Sequence, residues 1–368
     1  MKLKKSNFVL FFLSLIGLAS FINTIKKALL NGLDFQWYPA KLMWSGINHY
    51  QHRIYGNIEY TSQIGEYAHG LFVILFPFTF VDFEIAKNYW LLINVLLVLI
   101  IPYLISKNYD LNKKQILLVT IIFITAYPTR MALQWGQQSV FTFFFFILPF
   151  LFKSNLSYFF SGFSYFKYSL GYILAFNFLV LKKYKQFLLT IIPSLIGWLV
   201  YSYVTNSNIL ECLFDPIRLI TKTGFAMTGQ GQLFGIINEF IIFDNKILSM
   251  LIKIIIVFSL SLLVLVYINK LKDDEIKFPL IAFCPLIFTP HAQYDYIFLI
   301  PLLIYSIKNF SKNFSKINIT FIIYYYYINR LVKHLINDDM IYSFFIFSIF
   351  VFILMLNLNK NLPKKNSL

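Results

Sequence analysis

Residues 8–24 read FVLFFLSLIGLASFINT, and this run contains no charged side chain. Roughly 20 apolar residues in a helix cross a hydrocarbon layer about 30 Å thick, because a helix satisfies its own backbone hydrogen bonds there. Lysines precede the run, as they do in a signal peptide, but no persuasive small-residue cleavage site follows it. We therefore expect a retained first membrane span.

Comparable apolar runs recur along the whole chain of 368 residues, which is 58% hydrophobic and 13% charged. Soluble proteins are nearer 25% charged. The sequence therefore predicts an all-α polytopic membrane protein, a single domain over residues 1–368 with about 10–12 transmembrane helices. We also expect a shallow helix over 70–82 and two short segments over 156–181, with a bend near Lys167. The predicted spans lie near 8–24, 88–106, 115–130, 138–152, 186–204, 247–269, 277–289, 294–308, 317–330 and 340–357.

Charge is distributed unevenly between the predicted loops. Segments 1–6, 107–114, 153, 182–185, 270–277, 308–316 and 360–365 hold 19 basic and 4 acidic residues; the rest holds 13 and 12. This bias follows the positive-inside rule, with both termini cytoplasmic. It accounts for the net charge of +16 without nucleic-acid binding, because the basic residues form no single patch. We expect a multi-pass protein of a bacterial inner membrane.

Two long loops are predicted on the opposite, extracytoplasmic face, over 25–69 and 205–246. The first combines aromatic rings with polar groups, a combination that suits the stacking faces and hydroxyls of a sugar. Aromatic residues also collect at membrane interfaces for other reasons. In the second loop, Gly224 to Gly235 predicts a flexible segment. The candidates for sugar or acceptor binding are Trp37, Tyr38, His49, Tyr50, Arg53 and Gln137.

Asp34 lies about ten residues beyond the first span, in the stretch from Gly32 to Pro39. A carboxylate with a pKa of about 3.9 is ionised at neutral pH and can take a proton from an attacking hydroxyl. The alternative is a structural role for Asp34, as a helix cap or as a solvated loop residue.

Three cationic or protonatable residues are candidates for binding a phosphate. Arg130 precedes a helix start at Gly136-Gln137-Gln138, and an arginine beside a helix N-terminus favours anions. Lys167 lies within an apolar stretch, where an ionisable group is costly and indicates a site. His291 lies in a short loop with Asp295. Arg130 could instead extend to the membrane interface.

Other classes of site leave little trace in the sequence. Cys212 and Cys284 form neither a disulfide framework nor a metal motif, so we expect them to pack in the core. His49 and His52 could share a helix face, but no third ligand stands out. No Walker motif appears. We predict no metal and no cofactor.

Four stretches in this order resemble glycosyltransferase family 87, membrane enzymes of the GT-C class. They cover residues 1–308. The stretches are Asp34 with Tyr38 and Trp44-Ser-Gly46, then Tyr67 through Phe76-Pro77 and Trp90-Leu-Leu-Ile-Asn94, then Gly136-Gln137 with Gly162 and Lys167, and last Thr289-Pro290-His291 to Tyr296.

The resemblance implies a GT-C-like helical bundle that transfers mannose or another hexose, with inversion, from polyprenyl phosphate to a hydroxyl of a glycolipid or glycan. Asp34 would be the base, and His291, Arg130 and Lys167 would hold the donor phosphate. The protein's partners would be the lipid-linked donor, the acceptor and the bilayer. Two alternatives remain: a carrier or flippase for a lipid-linked sugar, and a protein like O-antigen polymerases or ligases.

Overall fold

A computed structural model describes residues 5–56, 63, 65–223, 232–241, 244, 246–336 and 338–361. Every regular element within these ranges is helical, as predicted. The basic termini at 1–4 and 362–368, and most of the glycine-rich segment predicted to be flexible (224–231), lie outside the described residues.

The helices of the N-terminal half are α1 (Lys5–Leu30), α2 (Trp37–Trp44), α3 (His49–Ile54), α4 (His69–Ile74), α5 (Phe83–Asn108), α6 (Lys113–Thr125), α7 (Tyr127–Trp135), α8 (Ser139–Leu151), α9 (Asn155–Ser161) and α10 (Tyr168–Val180). The C-terminal half continues with α11 (Tyr184–Val204), α12 (Ile209–Thr223), α13 (Leu233–Phe240), α14 (Lys246–Asn269), α15 (Asp274–Phe288), α16 (Ile300–Lys308), α17 (Asn313–Ile323), α18 (Asn329–Leu335) and α19 (Asp339–Asn361). Short 3-10 turns occupy Phe76–Phe80, Gly162–Phe166 and Gln293–Leu299, and a π-helical turn occupies Tyr324–Ile328.

Five described helices are long and apolar enough to cross a membrane, namely α1, α5, α11, α14 and α19. The bent pair of helices α6 and α7 is a sixth candidate if the two helices together form one span. Outward-facing apolar side chains such as Phe8, Phe11 and Ile16 cover α1, as expected for a helix that faces lipid. The structure thus fits a polytopic helical membrane protein, with five or six candidate spans by length and composition where the sequence predicted 10–12.

The predicted span over 115–130 is a bent pair of helices. The helices α6 and α7 meet at Ala126 with an angle of 54°. Pro128 stands in the first turn of α7, where it lacks an amide hydrogen and restricts the preceding residue, so the chain cannot continue straight.

Two other predicted spans, over 138–152 and 277–289, coincide with α8 and α15, which have 13 and 15 residues. The span predicted over 294–308 falls on the 3-10 turn Gln293–Leu299 and on α16, which follows it directly. The span predicted over 317–330 falls on α17, the π-helical turn and α18, which form one continuous helical run from Asn313 to Leu335. The nine residues of α16 reach only about 14 Å. In α15, every residue from Phe278 to Phe288 is buried within the protein. An all-round apolar helix can be a core helix as well as a membrane span, and hydropathy alone does not separate the two.

The shallow helix predicted over 70–82 corresponds to α4 and the turn that follows it. Here α4 packs on α11, where a Cβ added to Gly197 would come within 2.3 Å of Gly70 Cα. The bend predicted near Lys167 is also present, between the turn at Gly162–Phe166 and α10.

Apolar side chains pack into two separate clusters. The smaller cluster includes Phe35, Trp90 and Tyr201 and joins the segment between α1 and α5 to α5 and α11. The larger cluster includes Phe234 and Val257 and occupies the rest of the bundle. The site described below draws residues from beside both clusters.

Candidate functional site

A cavity of about 260 Å³ lies between α10, α14, the turn after α15 and the segment that joins α1 to α5. Asp34, Lys167 and His291 all line it, although they lie far apart in sequence. Its other polar or small lining residues are Gln36, Gly65, Glu66, Tyr67, Tyr168, Ser169, Tyr172, Thr289, Pro290, Ala292, Tyr294 and Asp295.

The loop that carries Asp34 is fixed to the end of α7. The amide of Asp34 donates to the carbonyl of Trp135 (3.0 Å), and the amide of Gly32 donates to that of Gln134 (2.9 Å). Gly136 ends α7 with a left-handed backbone (φ 69°), which glycine adopts at little cost. The broken helix therefore positions Gln137 directly beside Asp34.

Two amides hold the half-buried carboxylate of Asp34. The side-chain nitrogen of Gln36 donates to Oδ1 (2.9 Å), and that of Gln137 donates to Oδ2. The Tyr67 hydroxyl donates to Gln137 Oε1 (3.3 Å), which orients the amide with its nitrogen toward Asp34. Burial raises the pKa of Asp34 from 3.8 to about 7, the charge of Glu66 acts in the same direction, and Gln137, Lys167 and Gln36 oppose the rise. A carboxylate with this pKa can serve as a base near neutral pH.

Lys167 is paired with a buried carboxylate. Its Nζ lies 2.6 Å from Asp295 Oδ1 and 3.0 Å from Ser139 Oγ, and 4.6 Å from the centre of the Tyr294 ring. The side chains of Lys167 and Asp295 are 11% and 0% exposed. Asp295 also accepts from Ser139 Oγ (2.5 Å) and from the amide of Ala292 (2.9 Å). The pair therefore joins α10 to the turn that carries His291.

His291 is 6% exposed and contacts the ring of Tyr296. Burial lowers the pKa of His291 from 6.5 to about 4, so the ring is neutral at physiological pH. His291 therefore lines the cavity without bringing a positive charge to it.

Acidic groups outnumber basic groups in the described wall. The wall carries three acidic residues, Asp34, Glu66 and Asp295, and one lysine, Lys167. The charge of this lysine is already neutralised by Asp295. The expected cationic cluster for a phosphate is therefore not present in that form among the described residues.

One side of the cavity is apolar. Met250, Ile254, Val257 and Phe258 lie on one face of α14, a candidate membrane span, at the spacing of successive helical turns. Ile220 of α12 and Phe234 of α13 complete this surface.

Arg130 is not among the residues that line the cavity. It belongs to α7, which packs against the turn at Tyr324–Ile328, and its charge interacts with Tyr327. The residue type suited an anion site, but its direction on the helix could not be deduced from its neighbours in sequence.

The five aromatic, histidine and arginine candidates of the first loop also lie outside the cavity lining, and four of them have structural contacts. Trp37 is buried and donates to the carbonyls of Phe78 and Val81, and Tyr38 donates its amide to Gln63. His49 accepts from the Tyr201 hydroxyl at Nδ1 (2.8 Å), and its Nε2 lies 3.3 Å from the Gly65 carbonyl. Tyr50 is fully buried and donates to the carbonyl of Tyr67, and Arg53 stands half-buried on α3. Gln137 does not line the cavity either, but it forms hydrogen bonds with two residues that do, Asp34 and Tyr67.

Several cavity residues were not singled out from the sequence. A lone lysine in an apolar stretch requires a counter-ion, and this rule could have pointed to Asp295 in the nearby His291 loop. Gln36 and Tyr294, which line the cavity, and Ser139, which bonds to Lys167 and Asp295, left no comparable signal. Both cysteines are free and buried, and no group of three metal-ligating side chains occurs in the ranges the structure describes.

Comparison of the chain with protein-family models, with curated proteins and with solved structures finds no match.

Proposed function

We propose that this chain is a membrane glycosyltransferase that moves a hexose, with mannose the first candidate, from a polyprenyl-phosphate sugar to a hydroxyl of a glycolipid or envelope glycan. The main support is that one cavity brings together Asp34, Lys167 and the apolar face of α14. It offers a base, a cation and a surface for a lipid chain. The resemblance of the motifs to family 87 points to the same chemistry.

In this reaction the acceptor oxygen attacks the anomeric carbon as the bond from that carbon to the phosphate oxygen breaks. Asp34 takes the hydroxyl proton, and inversion follows from attack on the opposite face. The phosphate gains one negative charge while Asp34 loses one, so the cavity's total charge does not change. Such compensation matters in a site of low dielectric constant.

Lys167 is the candidate partner of the leaving phosphate. An ammonium group has three N–H donors, and Asp295 and Ser139 accept two of them. The third can bind a phosphate oxygen, while Asp295 keeps the ammonium fixed in position.

The apolar face of α14 suits the polyprenyl chain of the donor. Because Ile254 and Val257 are as apolar as lipid tails, an isoprenoid can leave the bilayer for this surface without exposing its hydrocarbon to water. Because α14 is a candidate span, the chain could enter the cavity from the bilayer. We place the reaction on the extracytoplasmic face of a bacterial inner membrane, with both termini cytoplasmic.

The test is transfer of radiolabelled hexose from polyprenyl-phosphate mannose, in membranes that contain the wild-type chain, Asp34→Asn or Asp110→Asn. Asp110 is an exposed carboxylate at a positive φ that asparagine tolerates, which makes it a matched control. We expect a labelled product with wild type and Asp110→Asn and none with Asp34→Asn. Full transfer by folded Asp34→Asn would reject the assigned base.

One observation favours a carrier as the second candidate. The helix α7 is one half of the broken pair α6 and α7, and its C-terminal end holds Asp34; carriers form their sites from the ends of such half-helices. A carrier would move a fluorescent donor lipid between leaflets of reconstituted vesicles without forming a glycoside.

A further inference from the structure

The tautomer of His291 is fixed by a neighbouring carbonyl. Nδ1 lies 3.1 Å from the carbonyl oxygen of Thr289, and a carbonyl can only accept. Nδ1 therefore carries the hydrogen. In the neutral ring, Nε2 is then a hydrogen-bond acceptor with a free lone pair.

Nε2 of His291 is buried and has no hydrogen-bond partner among the described residues. A buried acceptor without a partner is costly, and such an atom in a native protein calls for an explanation. The ring of His291 lines the cavity while its Nε2 is covered by protein, so a ligand in the cavity supplies the missing donor once a small movement of the lining uncovers Nε2.

The chemistry of the donor lipid separates two candidate partners for Nε2. An ionised phosphate oxygen only accepts hydrogen bonds, whereas a sugar hydroxyl can donate one. We infer that His291 binds a hydroxyl of the donor's hexose through Nε2 and so determines which sugar the cavity accepts. This inference rests on the proposed function and replaces the expected contact between His291 and the phosphate.

The position of Lys167 assigns this hydroxyl to the donor. The charge of Lys167 acts on both Asp34 and His291. With the acceptor hydroxyl at Asp34 and the phosphate at Lys167, the anomeric carbon of the donor sugar lies between these two groups, in the cavity that His291 also lines.

Two substitutions distinguish the roles of the two ring nitrogens of His291. His291→Asn places an amide near the position of Nδ1 and leaves the position of Nε2 empty. His291→Gln carries an oxygen to about the position of Nε2, where it can still accept. The two side chains are equally polar, so a difference between them reports on the acceptor at the Nε2 position.

The experiment measures equilibrium binding of two lipids to the full chain in nanodiscs: polyprenyl-phosphate mannose, and the same polyprenyl phosphate without a sugar. We expect wild type to bind the mannosyl lipid more tightly. His291→Asn should weaken binding of that lipid about tenfold and leave the sugar-free lipid unchanged, and His291→Gln should retain most of the preference. Unchanged binding of the sugar-free lipid also shows that each variant is folded.

Equal weakening for both lipids would assign His291 to the phosphate, and no change for either would assign it to packing or to a bound water; both outcomes overturn the inference. Absence of a sugar preference in wild type would do the same. Deoxy-mannosyl lipids give a second measurement on wild type alone, in which removal of one particular hydroxyl should cost the same factor.

The binding measurement tests the role of His291 independently of the transfer reaction. Loss of the sugar preference in His291→Asn, with no glycoside formed by wild type, would support the inference and reject the transfer reaction. A labelled product from wild type with an unchanged preference in His291→Asn would do the reverse.

Discussion

Transfer by the wild-type protein should depend steeply on pH around neutrality. The reaction needs ionised Asp34, whose pKa burial raises to about 7. The ionised fraction then rises from roughly 10% at pH 6 to roughly 90% at pH 8, about a ninefold change in rate. A carboxylate with an ordinary pKa would give a flat profile over the same range. His291 does not contribute to this limb, because its pKa is lowered to about 4.

The assay is the initial rate of hexose transfer between pH 5.5 and 8.5 at constant ionic strength. Gln137→Leu removes a hydrogen bond that favours the ionised form, so its limb should move to higher pH by about 1 unit. Gln115→Leu, at an exposed helix cap, serves as the control and should keep the wild-type profile. A flat profile in wild type, or an unmoved limb in Gln137→Leu, would refute the assignment of Asp34 as the titrating base.

Three further predictions concern stability and the lipid chain. Lys167→Met should lower the free energy of SDS-induced unfolding by about 3 kcal/mol, because the buried Asp295 keeps its charge without the ammonium group. The double variant Lys167→Met with Asp295→Leu should recover part of this loss, whereas additive losses would argue against a direct pair. The stability of wild type should fall as pH rises from about 4 to 7, because the pKa of Asp34 is raised, and Asp34→Asn should remove this fall; an unchanged fall in the variant would contradict the assignment. Val257→Trp should weaken binding of long polyprenyl phosphates in nanodiscs more than that of short ones, and equal effects would argue against a lipid chain on α14.

Much of the fold could be predicted where a single property decides the outcome. Residues 8–24 and 247–269 are long and uniformly apolar, and α1 and α14 follow them closely. The chain also breaks at Lys167, where a charge interrupts an apolar stretch. The run over 277–289 is equally apolar, but α15 lies inside the protein. Whether α15 faces lipid or protein depends on contacts between segments that are distant in sequence, and the hydropathy of a segment gives no information about such contacts.

The candidate site divides in the same way. Asp34, Lys167 and His291 could be selected because each is a reactive group next to an apolar stretch, and the structure brings all three to one cavity. Their relations could not be predicted: Lys167 is paired with Asp295, and His291 is a neutral acceptor. Arg130 and His49 had suitable side chains but face other neighbours, because a side chain's direction depends on how its helix packs.

The position of the cavity between two packed clusters has a consequence for turnover. Phe35, next to Asp34, belongs to the smaller cluster, and Val257 in the apolar wall belongs to the larger one. A small sliding of one packed body against the other would widen the gap between them while every helix stays intact, which is how shear motions work. Product release could then be slower than bond formation, and a ligand that contacts both packed clusters would oppose their sliding.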